Sequence, residues 1–169
     1  INNPVVTDVI SVSVEEVRAL SRMEVLQVTD VELITHEKDK NGITAVLQVT
    51  GTGEFTVDYQ MADFIVDQER HYVLVRIPYP ELTECDIEYA DVVKMGFTNN
   101  IFNDSVKVGE DVAKDMLANA DLKIEKEFTS NPQFTERAND AAINVTESLI
   151  RDFNPDIDDL VVEVEFIEK

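Results

Sequence analysis

In the stretch RDFNPDIDDLVVE, Arg151 to Glu163, five oxygen-bearing side chains recur, the first four on alternate positions. Asp152, Asn154, Asp156, Asp158 and Glu163 occupy positions 1, 3, 5, 7 and 12 of the calcium-loop pattern. A hard divalent cation takes oxygen ligands, and alternation along a curled loop turns such side chains toward one centre. Two features oppose this reading. The sixth position, where the loop turns sharply and needs glycine, is the β-branched Ile157, and Glu163 lies in a strictly alternating run, LVVEVEF, rather than on an exiting helix. The competing reading is a solvated acidic connection from a helix to a strand. These five residues are the metal-ligand candidates, and calcium is the one cofactor the sequence offers.

Other chemistries find fewer residues. His36 and His71 are the only histidines, and neither has a partner at a spacing that makes a metal pair on one local face. Cys85 is the only cysteine, which excludes an intrachain disulfide and a cysteine zinc cluster; its neighbours Glu84 and Asp86 oppose thiolate formation. Serine never sits in GxSxG, and GTG at Gly51 to Gly53 lacks the further glycine and strand-to-helix setting of a phosphate loop. Acidic pairs of equal parity, Glu54 with Asp58 and Asp86 with Glu88, could serve a carboxylate-dependent hydrolase but read more simply as solvent faces. No catalytic residue is singled out. The tyrosines Tyr59, Tyr72, Tyr79 and Tyr89 read as sheet packing, and any that reach the surface would make a binding patch.

The chain must supply the elements that hold these residues. At 169 residues, with 44% hydrophobic and 29% charged residues, it has the size and composition of one globular domain, 1–169. Thirty-five acids against 14 bases give a formal charge of -21, spread along the chain, so nucleic acid and anionic membrane surfaces are disfavoured as partners. No apolar run approaches the ~20 residues of a membrane span. The chain begins with Ile1 rather than Met, which suggests processing or trimming, and residues 1–12 read as a linker from a missing anchor.

Ser13 and Glu16 form a capping-box pattern and predict a first helix from about Val14 to Ser21. From Met23 the period shortens to that of a strand, DKNG at Asp39 to Gly42 supplies turn chemistry, and ITAVLQVTGTGEFTVDY returns, which together make a long hairpin. Gly51 and Gly53 are expected to mark a bulge or bend. His71 to Ile77 reads as a strand ending at Pro78, ELTECDIEY as the next, and Asn99 to Ser105 as a loop. Apolar residues recur every four from Val108 through Met116, Ala120, Ile124 and Phe128. Asn131 then caps and Pro132 opens a second stripe from Phe134 to Phe153, giving a helix pair or one long kinked helix. LVVEVEFI is a last strand, expected in the same sheet. The fold class is α+β: an antiparallel sheet from the long hairpin and central strands, the C-terminal helices, and a final strand.

The order of these features, from GTGEFTVDY through the P-x-P-E-L step at Pro78 to Leu82, an acidic strand, the alanine-bearing helix pair and the closing strand, resembles the bacterial domain-of-unknown-function family 4230 over about residues 14–168. The resemblance implies a soluble domain behind an N-terminal membrane-spanning segment, hence an extracytoplasmic, membrane-anchored place, and it implies no catalytic residues. The expected function is a non-enzymatic interaction domain with a protein or cell-envelope partner, touching the membrane only through the missing anchor and free to form a homo-oligomer. The alternatives are an acidic divalent-cation-binding domain and a carboxylate-dependent hydrolase.

Overall fold

The computed structural model describes residues 9–36, 43–97 and 105–168. In chain order the elements are α1 (Val9–Ala19), β1 (Arg22–His36), β2 (Ile43–Asp58), a 3-10 turn (Tyr59–Met61), β3 (Asp63–Asp67), β4 (Tyr72–Ile77), β5 (Glu81–Phe97), α2 (Ser105–Ser130), α3 (Pro132–Asp152) and β6 (Val161–Phe166). The fold is α+β, with an antiparallel sheet in the order β1-β2-β5, C-terminal helices and a closing strand. The expected hairpin turn at 39–42 and most of the expected loop at 99–105 lie outside the described residues. The chain divides into two compact units, one from residues 1–26, 55–81 and 136–169, the other from 27–54 and 82–135.

In the first unit β3 pairs antiparallel with β4, and β4 pairs parallel with β6. The last strand therefore joins a second sheet, not the hairpin's. Strict alternation tells which side of a strand is buried and says nothing of its neighbour, and a parallel pair needs a long connection, here everything between Ile77 and Val161. The core gathers Ile10, Val14 and Val17 of α1, Val73, Val75 and Ile77 of β4, and Ala142 and Ile150 of α3 around Tyr59. Thr146 donates to the Ala142 carbonyl at 2.7 Å, which leaves its oxygen to accept from the buried Tyr59 hydroxyl at 2.8 Å.

The first helix begins five residues before the capping-box reading places it, at Val9 inside the stretch expected as a linker. Ser13 is not its cap: it lies buried within the helix and donates to the Ile10 carbonyl at 2.7 Å. Burial of Ile10, Val14 and Val17 on one stripe outweighs the local cap signal. The helix ends as Ser21 takes a left-handed conformation at φ 59°.

In the second unit alternate residues of β2, Ala45, Leu47, Val49, Gly51 and Gly53, are buried, as are Met116, Ala120, Ile124 and Phe128 of α2. The strand runs unbroken through both glycines, and their role is close contact. A Cβ on Gly51 would stand 2.6 Å from Ile124 Cγ2, and one on Gly53 2.8 Å from Phe128 Cδ2 and 2.9 Å from Leu82 Cδ1, so glycine is what lets the helix lie down on the strand. After α2, Asn131 caps α3 as its sequence predicts, its Oδ1 accepting from the Gln133 amide at 2.9 Å. Phe128 and Phe134 meet edge to face at 5.0 Å across the junction, so two helices form rather than one.

Gly51→Ala is expected to lower stability by about 1–3 kcal/mol in urea unfolding, because the β-branched Ile124 has little room to yield. Ile124→Ala in the same chain should recover part of the Gly51→Ala loss, and strict additivity of the two substitutions would show that the clash is relieved elsewhere.

Candidate functional site

The stretch from Arg151 to Glu163 is built as an anchor for the first unit. Asp152 is the last residue of α3 and is exposed, as are Asp156 and Asp158. Asn154 turns the other way. It is buried, and its amide nitrogen donates to Ser13 Oγ and to the Ile150 carbonyl, both at 2.7 Å. Glu163 is on β6 and accepts from the Tyr72 hydroxyl at 2.8 Å, which raises the phenol's pKa by stabilising its protonated form. Arg151 donates to the Leu160 carbonyl at 2.7 Å and closes the turn. Asp152, Asp156, Asp158 and Glu163 do not converge: among the described residues they form no group of three whose ligand oxygens lie within 4.8 Å of one another.

Several of the remaining candidates have a local partner. His71, in the left-handed region at φ 49°, donates from Nδ1 to Asp159 at 2.5 Å, and this hydrogen bond holds the Asp159 carboxyl below its ordinary range. The side chain of His36 lies outside the described residues. Cys85 is half-buried on β5, and burial, with Glu125, Asp121 and Asp86 nearby, pushes its thiol up, away from reactivity. Asp58 caps the 3-10 turn through the Gln60 amide at 3.0 Å. Glu88 accepts from Thr52 Oγ1 at 3.0 Å. Tyr59 packs in the core as expected, whereas Tyr89 and Tyr79 reach the surface, Tyr79 stacked at 4.3 Å on Phe166.

A constellation the sequence did not single out lies in the second unit. Asp30 and Glu32 of β1 and Glu127 of α2 bring carboxylate oxygens within 4.8 Å of one another, all three half-buried. Lys123 lies beside Glu32, its ammonium 3.9 Å away and donating to the Leu33 carbonyl at 2.9 Å. Burial raises the Glu32 carboxyl first, then its hydrogen bond with Asp30 and repulsion from Asp30 and Glu127; Lys123 opposes. Such a set can share a proton between carboxylates, and Lys123 supplies one positive charge beside Glu32.

The alternation of β1 is inverted here. Asp30 and Glu32 point to the helix side, while Val31 and Leu33, on the other face, are 53% and 56% exposed. The equal parity of Asp30 and Glu32 is the sequence signal for this cluster, but Val25, Leu26 and Val28 break the alternation and leave the inward face undecided.

With the geometry in place, comparison with known proteins gives one finding. The family model described as "Protein of unknown function (DUF4230)" matches residues 15–158. The chain belongs to the DUF4230 family. No curated protein and no solved structure shows significant similarity to it. No helix among the described residues of this DUF4230 chain is long and apolar enough to cross a membrane.

The acid cluster generates a pH prediction. A carboxyl raised in the folded state binds its proton more tightly there, so ionising Glu32 destabilises the fold above the raised value. The effect shrinks as pH falls through the window between that value and the ordinary 4.5, and is absent below it. Glu32→Gln should therefore raise the unfolding free energy in urea at pH 8, by up to about 1 kcal/mol for a partly exposed group, and leave it and the urea midpoint unchanged at pH 4. A lower midpoint at pH 8 would mean that the Lys123 attraction dominates the cluster.

Proposed function

We propose that this DUF4230 chain is a non-enzymatic binding domain, held at the extracytoplasmic side of a bacterial membrane by a segment preceding Ile1, that presents the second unit's sheet to a protein or cell-envelope partner. One observation carries the reading: on β1 the carboxylates of Asp30 and Glu32 are turned inward under α2 while Val31 and Leu33 are turned out to solvent. Folding alone favours the opposite arrangement, since burying ionised carboxylates opposes stability and exposing aliphatic side chains forgoes about 1.5–3 kcal/mol for each large one left in water. A surface that keeps large apolar side chains in water against that gradient is the physical signature of a contact site.

The acidic balance of the chain fits the same reading. A formal charge of -21 keeps an exposed apolar face from self-aggregating and selects against nucleic acid and anionic lipid. The membrane anchor and the extracytoplasmic place are supported by the family resemblance.

The test is site-specific photocrosslinking in the full-length protein in its own cells. A photoreactive residue at Leu33 is expected to give one discrete adduct, one at the exposed Glu136 of α3 to give none, and Val31→Lys with Leu33→Lys to abolish the adduct without lowering the melting temperature. Turnover on a hydrolase panel, lost on substituting one carboxylate, would overturn the reading.

A further inference from the structure

The far edge of the same sheet carries a different chemistry. β5 is the terminal strand in the order β1-β2-β5, so among the described residues the backbone on one side of it has no partner strand. Its two faces are sorted. Glu88 lies on the side of Thr52, with which it bonds, and Glu84 and Asp86 share its parity and are exposed. The residues between them turn toward α2: Cys85 is close to Asp121 and Glu125, and Ile87 and Tyr89 line an open groove of about 500 Å³ with Ala90, Leu117 and Asp121. Tyr89 is 60% exposed and Leu117 42%.

We infer that β5 is a docking edge for an extended protein segment that alternates basic and apolar residues. Such a segment adds to the sheet as a fourth strand, its basic side chains against Glu84, Asp86 and Glu88 and its apolar ones in the groove of Ile87, Tyr89 and Leu117. Main-chain hydrogen bonds along a free edge supply affinity, and the period of two of an added strand sends alternate side chains to opposite faces. The occupant follows from charge. Between Leu82 and Asp91 the strand has four acids and no base, so a second copy pairing on this edge would set acid against acid. That excludes self-pairing and favours a cationic partner, whose like-charged lysines or arginines would be matched rung by rung. The inference is separate from the β1 face and can fail while that reading stands.

The test uses the whole chain and a short synthetic peptide alternating Lys and Val, beside a peptide of the same composition with its lysines in one block and one alternating Glu and Val. Titration calorimetry is expected to show binding of the Lys–Val peptide at least about tenfold tighter than of the block peptide, and none of the Glu–Val peptide. Hydrogen exchange should slow at amides of residues 84–91. Leu117→Lys is expected to weaken binding about tenfold or more with the melting temperature unchanged; Tyr89→Ser, at a still more exposed position, gives the same readout if Leu117→Lys disturbs folding. Equal binding of the alternating and block peptides, protection elsewhere than β5, or no binding at all would each overturn the inference.

Discussion

The approach of α2 to β2 decides the second unit. Gly51 and Gly53 remove the two Cβ atoms that would hold the helix away, and Ile124 and Phe128 occupy that space. A helix settled on the central strand of three fixes its own rotation, because its buried stripe, Met116, Ala120, Ile124 and Phe128, must face down. Residues one step to either side then fall over the flanking strands. On one side Lys123 and Glu127 meet Glu32 of β1; on the other Leu117 and Asp121 meet Ile87 and Tyr89 of β5. Both candidate surfaces of this unit follow from one close contact between a helix and a strand.

The first unit is held by polar contacts placed inside an apolar core. The hydroxyl pair of Tyr59 and Thr146 and the amide of Asn154 against Ser13 join residues far apart in sequence, 87 and 141 positions. Each hydroxyl and the Asn154 amide nitrogen are buried with a partner, and loss of either member would strand the other at about 1–3 kcal/mol. Burial also raises the Tyr59 phenol, against the opposing effect of its Thr146 hydrogen bond, so this hydroxyl remains protonated as the pair requires. On the solvent side of the β3-β4-β6 sheet the registered rung of Arg76 with Glu165 sets opposite charges across neighbouring strands, and Arg76 bonds Glu165 directly, while Glu163 accepts from the Tyr72 hydroxyl. Those exposed contacts specify register more than they add stability.

What the sequence discloses and what it conceals divide along physical lines. The stripe of α2, the Asn131–Pro132 junction and the alternation of β6 are local patterns, and each is present where its period places it. The partner of β6 depends on tertiary pairing that alternation does not encode. Ser13 carried a cap signature yet lies within a helix whose start is set by Ile10 burial. The glycines announced a special position without saying which, since a bulge and a close helix contact need the same missing side chain. The spacing of Asp152 to Glu163 was legible, but not that Asn154 would face the core or that Glu163 would bond Tyr72. Asp30, Glu32 and Glu127 stayed hidden because the third comes from a helix almost a hundred residues later.

The uneven use of acid and apolar residues along one sheet bears on how such a surface selects a partner. On β1 the apolar side chains face out and the acids face the helix; on β5 the acids Glu84, Asp86 and Glu88 face out and the groove residues face the helix side. The first arrangement makes attraction that salt does not weaken, because it comes from removing apolar surface from water. The second makes attraction that falls as ionic strength rises, with a range of about 8–10 Å in physiological salt. A chain of net charge -21 repels copies of itself at that range, which opposes pairing of either outer strand with its own kind. Acidity here acts as negative selection: it sets like charge against like wherever two copies would bring their unpaired strands together.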